Sequence, residues 1–182
     1  MSLHQALSQQ FTQILSQDVS PEQKSAVLLL AEFGQGAITQ VKDCLKEMEK
    51  IESEQIAFME VDIDGLPAQN FFVSNNPEDL SPLAKLAQNP LSLLVVNMRD
   101  QFNKDFAIDL ALEKDFDGVD LKDTVIVLLE RHEDASSIPQ DLLDQFEVVS
   151  LDVPQVRPMN KSVLVSVNKQ EENDSPQAPS MK

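Results

Sequence analysis

The sequence contains no tryptophan and no tyrosine, and its 182 residues include one cysteine and two histidines. With only nine phenylalanines, the aromatic platforms on which nucleobases stack are scarce. The single cysteine, Cys44, excludes an intramolecular disulfide framework and a cysteine-based zinc cluster. The two histidines, His4 and His132, lie far apart in sequence, so we expect no metal site built on them.

Basic residues are also few, because 14 Lys and Arg stand against 31 Asp and Glu and the formal net charge is −17. Such a chain is repelled by nucleic-acid backbones and by anionic membrane surfaces. Residues 100–152 hold fifteen acidic and four basic residues, whereas residues 154–182 hold three acidic and four basic ones. The acidity therefore belongs to the body of the chain. We expect no nucleic-acid or membrane partner, and a basic protein as the better counterpart.

Long apolar runs are missing as well, since none approaches the roughly 20 residues that span a bilayer. The first ten residues lack the basic region and the apolar stretch of a secretory signal. We therefore expect a soluble, cytoplasmic protein. A length of 182 residues suits one domain with a modest second element.

Short apolar runs, by contrast, recur along the chain and alternate with helical patterns. The runs at 26–30, 91–97 and 124–129 are typical of strands that are buried on both faces. Such strands alternating with helices predict an α/β fold, namely a three-layer sandwich with a mostly parallel sheet of about five strands. The other predicted strands are 56–63, 71–73 and 146–153, and the predicted helices are 2–17, 37–51, 81–88, 105–114 and 137–145.

These patterns also predict the domain organisation. Residues 1–20 are expected to form an N-terminal helix, and residues 21–153 the α/β domain. From residue 154 onward Ser, Asn, Gln, Pro and Lys dominate. We therefore expect residues 154–182 to form a C-terminal extension that is disordered from about residue 168.

The loop after the first apolar run is rich in glycine, as phosphate-binding loops between a strand and a helix are. The P-loop pattern is G-x-x-x-x-G-K-[ST], with the Lys at the outer phosphates and the hydroxyl on Mg²⁺. Here Gly34 and Gly36 supply the glycines, but Ala37 stands at the Lys position and Ile38 at the hydroxyl position. The loop alone is therefore a weak match.

Three later segments follow in the order expected of an ATPase. The second buried run ends in Asn97 and Met98, where ATPases carry the acidic pair that binds Mg²⁺ and activates water. The third run is followed by Arg131, near the position of a polar residue that senses the outer phosphate. In residues 138–146, Gln145 occupies the arginine-finger position of a "leucine, two residues, arginine, phenylalanine" segment.

Taken with the segments 62–67 and 106–124, this order and spacing resemble the AAA+ ATPases, most of all their MoxR-like branch, over about residues 22–153. The resemblance implies a P-loop NTPase-like fold, with no recognisable helical lid domain after residue 153. It also implies a catalytically inactive member of the family, because the phosphate, Mg²⁺ and finger residues are all replaced. Phosphoryl transfer depends almost wholly on positioning and charge neutralisation, so these losses remove the mechanism.

On this interpretation the chain has no catalytic residue, no metal and no cofactor. Its vestigial loop (Gly34, Gly36, Ala37 and Ile38) and vestigial site (Asn97, Met98, Arg131 and Gln145) are expected to bind no nucleotide. The implied function is a protein-binding or assembly module whose partner is basic or an AAA+-type subunit. Residues 139–146 and 100–123 are the predicted contact surfaces.

Two alternatives remain open from the sequence. An acidic inhibitor or nucleic-acid mimic would present the carboxylates of residues 100–134 on one face. A thioredoxin-like domain is suggested by residues 26–77, but Gly34 to Ala37 stand where the Cys-x-x-Cys pair would be. Redox chemistry is therefore excluded even if that similarity holds.

Two segments, 60–65 and 113–118, read Glu-x-Asp-x-Asp-Gly, as the start of a calcium loop does. The closing Glu is missing from both, because Phe71 and Thr124 occupy its position. We therefore predict turns that close a strand or hairpin. Cys44, at helical spacing with Val41, Leu45 and Met48, is predicted to be a core residue.

Overall fold

The computed structural model describes residues 1–17, 21–32, 35–52, 55–62, 74, 76, 78–98 and 101–151. Residues 1–151 form one compact unit. The predicted strand at 71–73, Gly34 and the predicted extension 154–182 lie outside the described residues. In chain order the elements are α1 (Leu3–Ser16), β1 (Ala26–Leu30), α2 (Gln35–Glu52), β2 (Ala57–Asp62), α3 (Pro82–Ala87), β3 (Ser92–Asn97), α4 (Gln101–Glu113), β4 (Asp115–Phe116), β5 (Val119–Asp120), β6 (Thr124–Glu130), a 3₁₀ turn (Ala135–Ser137), α5 (Gln140–Leu143) and β7 (Phe146–Ser150).

Five strands form one parallel sheet in the order β2-β3-β6-β1-β7. All side chains of β3 and β6 are buried, because these strands lie inside the sheet and are covered on both faces. This accounts for their continuous apolar runs and confirms the predicted three-layer α/β fold. A second, two-stranded antiparallel sheet pairs β4 with β5.

The two faces of the sheet carry separate hydrophobic clusters. On one face, Leu29 of β1 packs with Leu7 of α1 and Val41 of α2. On the other, Leu28 packs with Leu83 of α3 and Ile108 of α4. Because successive side chains of a strand point to opposite faces, neighbouring leucines of β1 serve both clusters. The helices therefore lie on both sides of the sheet.

Capping residues determine where α1 and α3 begin. Ser2 and Gln5 form a capping box at the start of α1, in which each backbone N–H donates to the other residue's side chain. Ser81 caps α3 through the backbone N–H of Ala84, with Pro82 in the first turn. The predicted start of this helix is confirmed.

The predicted helix at 137–145 is wrong in detail, because the structure divides it into the 3₁₀ turn and α5. Ile138 lies between them with an extended backbone, φ −86° and ψ 124°. A residue before proline is driven out of the helical region by the proline ring, and Pro139 follows here. Similarly, α4 begins at Gln101 rather than at residue 105.

The strand order places a topological switch point between β1 and β6. The chain leaves β1 through α2, on one face of the sheet, whereas it leaves β6 through α5, whose Leu142 and Leu143 pack on the other face. In open parallel sheets, ligands bind in the crevice outside the carboxyl ends of the strands at such a point. We therefore refer to the region at the carboxyl ends of β1 and β6 as the crevice.

Candidate functional site

The first turn of α2 follows the carboxyl end of β1 and borders the crevice, but it presents neither a lysine nor a hydroxyl side chain at the P-loop positions. Gly36 is exposed, with open space where a Cβ would stand. Ala37 and Ile38 are buried and belong to the same hydrophobic cluster as Leu29. The positions that would carry the phosphate Lys and the Mg²⁺ hydroxyl are thus part of the core.

Asn97 ends β3 on the same face of the sheet as α2. It is in register with Leu129, which is in register with Leu29. Its side chain is 5% exposed, and among the described residues its Oδ1 has no hydrogen-bond partner. An unpaired buried acceptor of this kind costs about 1–3 kcal/mol. The amide stands where the resemblance places a Mg²⁺-binding carboxylate, and an apolar Ile38 stands at the hydroxyl position.

Met98 turns to the other face, in the cluster that includes Ile108 of α4. It is 2% exposed, and its backbone N–H donates to the carbonyl of Leu129 at 3.0 Å. Met98 stands at the position of the catalytic Glu. A buried thioether has no means of activating water, so this position contributes packing only.

A buried ion pair lies at the end of β6. Glu130 is fully buried, and its Oε2 is 2.7 Å from Nζ of Lys104 on α4. Its Oε1 accepts a hydrogen bond from the backbone N–H of Arg131 at 2.9 Å. The Lys104 ammonium also donates to Oγ of Ser137 at 3.2 Å. Both charges are thus compensated by partners, as buried charges must be.

Sequence reasoning missed this pair. The one signal available was that a carboxylate, Glu130, directly extends a continuous apolar run, which indicates that it is buried and needs a cation. Nothing in the sequence identified Lys104 as that cation, because the two residues are distant in the chain. The pair is neutral overall, and it commits the Lys104 ammonium to Glu130 rather than to a ligand at the crevice.

Arg131 and His132 follow Glu130 across the end of the sheet. The Arg131 side chain is 44% exposed, with Nη1 3.5 Å from Oε1 of Glu133. Nε2 of His132 lies 2.7 Å from Oγ of Ser150. Ser150 and Glu130 are both in register with Leu30, so the His132–Ser150 hydrogen bond spans the end of β1.

Gln145 lies at the amino ends of the strands, away from the crevice. It is exposed and precedes β7, and its carbonyl accepts a hydrogen bond from the backbone N–H of Ser25, which precedes β1. The structure therefore groups Ala37, Asn97 and Arg131 at the carboxyl edge and separates Gln145 from them. An arginine finger supplied in trans acts on another protein's nucleotide, so such a position need not lie near its own loop.

Acidic side chains form a row on α4. Asp105, Asp109 and Glu113 are exposed, and their spacing of four residues places them on one face of the helix. We call these three residues the α4 acidic row. Asp115 and Asp120 face each other across the β4–β5 hairpin that follows.

The second calcium-like segment, residues 113–118, forms the turn of the β4–β5 hairpin. Asp117 and Gly118 have φ values of 48° and 82°, as a two-residue turn of the Asp-Gly type requires. The predicted hairpin closure is thus confirmed for residues 113–118, whereas residues 63–65 of the first segment lie outside the described residues. Among the residues the structure describes, no group of three or more His, Cys, Asp or Glu side chains is placed to hold a metal ion.

Cys44 packs at the margin of the cluster that contains Val41, and it is partly buried. Burial raises the pKa of its thiol above the ordinary value of 9.0, and the neighbouring Glu47 and Asp43 raise it further. The thiol is therefore protonated at neutral pH. Within the described part of the chain, no helix combines the length and apolar character needed to cross a membrane.

Comparison with known proteins adds no relative to these observations. No protein-family model matches the chain, and no curated protein matches it. The crevice, the surface charge and the order of the sequence segments are therefore the features that bear on function.

Proposed function

We propose that this chain is a non-catalytic ATPase-like domain that acts as a cytoplasmic protein-binding or assembly module. The observation that carries the proposal is the buried Lys104–Glu130 pair at the crevice. The two charges cancel, so the pair offers a polyphosphate no net positive charge, and the Lys104 ammonium is already bound to Glu130. The order of segments resembling AAA+ proteins supports an ATPase-like origin.

The first turn of α2 supports the same conclusion. A helix N-terminus favours phosphate through its backbone N–H groups and dipole. Transfer of a phosphoryl group also needs a cation at the outer phosphates and a held Mg²⁺. Ala37 and Ile38 provide neither and are buried in the core. Weak anion attraction without catalysis is the most that this turn can supply.

The surface charge supports a basic protein partner. The α4 acidic row is exposed, and of the two basic residues in the hairpin region, Lys114 is partly buried and Lys122 lies 3.6 Å from Asp120. Complementary charge mainly sets the association rate and the choice of partner. The predicted contact surfaces at 100–123 and 139–146 remain part of this proposal.

A nucleic-acid mimic is the second candidate, favoured by the α4 acidic row. Carboxylates four residues apart on a helix are about 6 Å apart along its axis, whereas phosphates follow at about 3.4 Å per strand of DNA. Glu130, the one described acidic residue of 100–134 that is fully buried, cannot contribute. A thioredoxin-like domain is less well supported, because β1 and β2, which residues 26–77 supply, are not neighbours in the sheet.

Titration calorimetry with Mg·ATP and Mg·ADP tests the non-catalytic part, with an intact P-loop ATPase as the positive control. We expect no binding, and no ATP turnover above the blank. Binding tighter than a Kd of about 100 µM, or measurable turnover, would contradict the proposal.

Affinity capture with the immobilised full-length chain tests the binding part. The matched variant Asp105→Asn/Asp109→Asn/Glu113→Gln removes the row's charge and keeps its shape. We expect partners of basic pI that are retained by the native chain and reduced at least tenfold by the variant. If the captured proteins instead bind double-stranded DNA, and added DNA displaces them from the immobilised chain, the result would support the nucleic-acid mimic.

A further inference from the structure

β7 lies at the edge of the sheet, and no strand in the described part of the chain pairs with its outer side. In the described part of the chain it pairs with β1 alone. The backbone N–H of Leu151 donates to the carbonyl of Leu30 at 2.8 Å, so the odd-numbered residues direct their main-chain groups toward β1. Because these groups alternate in direction along a parallel strand, those of Phe146, Val148 and Ser150 point away from the sheet.

Within the described residues, β7 contains no proline, no lysine and no β-bulge. Natural edge strands carry Pro, Lys or a β-bulge that blocks pairing. β7 reads Phe-Glu-Val-Val-Ser, and its register with β1 is continuous from Ala26–Phe146 to Leu30–Ser150, without a bulge. Val148, in the middle of the strand, is 41% exposed, so an apolar side chain stands beside the main-chain groups that point away from the sheet.

The charge around the edge selects for a basic partner. Residues 132–151 contain five acidic residues and no Lys or Arg. Glu147 lies within the strand and Asp144 shortly before it. Main-chain hydrogen bonds provide affinity in strand addition, while side chains provide specificity. An extended segment with Lys or Arg beside small apolar residues satisfies both requirements.

We propose that the β7 edge binds an extended, basic segment of a partner protein by strand addition. This inference rests on the proposed function as a protein-binding module and names the surface and the partner chemistry. The added strand would hydrogen-bond to Phe146, Val148 and Ser150, contact Val148 through an apolar side chain, and place cations near Asp144 and Glu147.

Amide hydrogen exchange of the ¹⁵N-labelled full-length chain tests the inference. The probe is a blocked hexapeptide that alternates Lys and Val, and its Glu-Val counterpart is the charge control. At saturation with the Lys-Val peptide we expect exchange at Phe146, Val148 and Ser150 to slow at least tenfold. The same peptide with alternate amides N-methylated should give no protection, which tests strand pairing without any change to the protein.

A pair of variants at one position tests the edge directly. Val148→Pro removes an N–H that β1 does not use, and Pro is tolerated on the solvent side of edge strands. Val148→Thr keeps that N–H and suits a strand. We expect Val148→Pro to fold and to weaken peptide binding at least tenfold, while Val148→Thr stays within about twofold of the native affinity.

Several outcomes would overturn the inference. These are equal binding by the two Val148 variants, equal binding of the N-methylated peptide, or a Val148 amide already protected in the free chain. Binding that is lost in the Asp105→Asn/Asp109→Asn/Glu113→Gln variant but kept in Val148→Pro would place the contact on α4, so the strand-addition inference fails while the binding-module proposal survives. Tight Mg·ATP binding would contradict the proposed function and leave the edge result unchanged.

Discussion

The ammonium nitrogen of Lys104 lies 2.7 Å from Oε2 of Glu130, and together they join α4 to the last residue of the central strand β6. Glu130 is fully buried and Lys104 is 8% exposed. Neither charge is well hydrated, so each depends on the other for compensation. The pair thereby links α4 to the carboxyl end of β6.

Removing one member of this pair should be strongly destabilising. Lys104→Met or Glu130→Met leaves an uncompensated buried charge, and such losses typically cost about 3–5 kcal/mol. The double variant Lys104→Met/Glu130→Met removes both charges and should recover most of that loss. Urea unfolding of the four proteins measures the coupling. A double variant as unstable as the sum of the single variants would show that the two charges do not interact.

Replacing Asn97 by an apolar residue should stabilise the fold. The buried Oδ1 of Asn97 has no hydrogen-bond partner among the residues that the structure describes, so Asn97→Val removes an unsatisfied acceptor and should raise the free energy of unfolding by about 1–3 kcal/mol. Asn97→Asp is the matched control of similar size. It adds an unpaired buried charge and should destabilise. A destabilised Asn97→Val protein would show that Oδ1 accepts a hydrogen bond in solution.

The sheet was predictable from the sequence because strands that are buried on both faces read as continuous apolar runs. Their order was not, since β1 lies between β6 and β7 and these contacts join distant parts of the chain. Ala37 and Ile38 are buried, and the loss of a phosphate site at these positions stays a prediction. The Lys104–Glu130 and His132–Ser150 contacts depend on tertiary packing, so no local pattern indicated them.

The alkaline pH dependence of stability should report on Lys114. Burial lowers the pKa of its ammonium below the ordinary value of 10.5, partly offset by Asp123. Between the lowered folded pKa and 10.5 the unfolded chain binds more protons than the folded chain, so the contribution of Lys114 to stability rises with pH. Lys114→Met should remove this rise, as measured by urea unfolding between pH 7 and pH 11.

Cys44 should change the pH dependence of stability in the direction opposite to Lys114, and it therefore serves as a control for that experiment. Its raised pKa means that above about pH 9 the unfolded thiol loses its proton first, so its contribution to stability falls with pH. Cys44→Ala should therefore steepen the net alkaline rise that Lys114→Met abolishes. If the two variants change the slope in the same direction, the assignment of one of these two groups is wrong.

The β4–β5 hairpin should gain stability when its cross-strand charges are made complementary. Asp115 and Asp120 are directly opposed, and like charges in this position are destabilising. Lys122 lies 3.6 Å from Asp120 and relieves only part of the repulsion, because both of these side chains are largely exposed. Asp115→Lys should raise the free energy of unfolding by about 0.2–1 kcal/mol at low salt, and Asp115→Asn by less. Since screening weakens exposed charge interactions, the difference between the two variants should shrink in 1 M NaCl. A difference that persists at high salt would instead assign the gain to packing of the longer side chain.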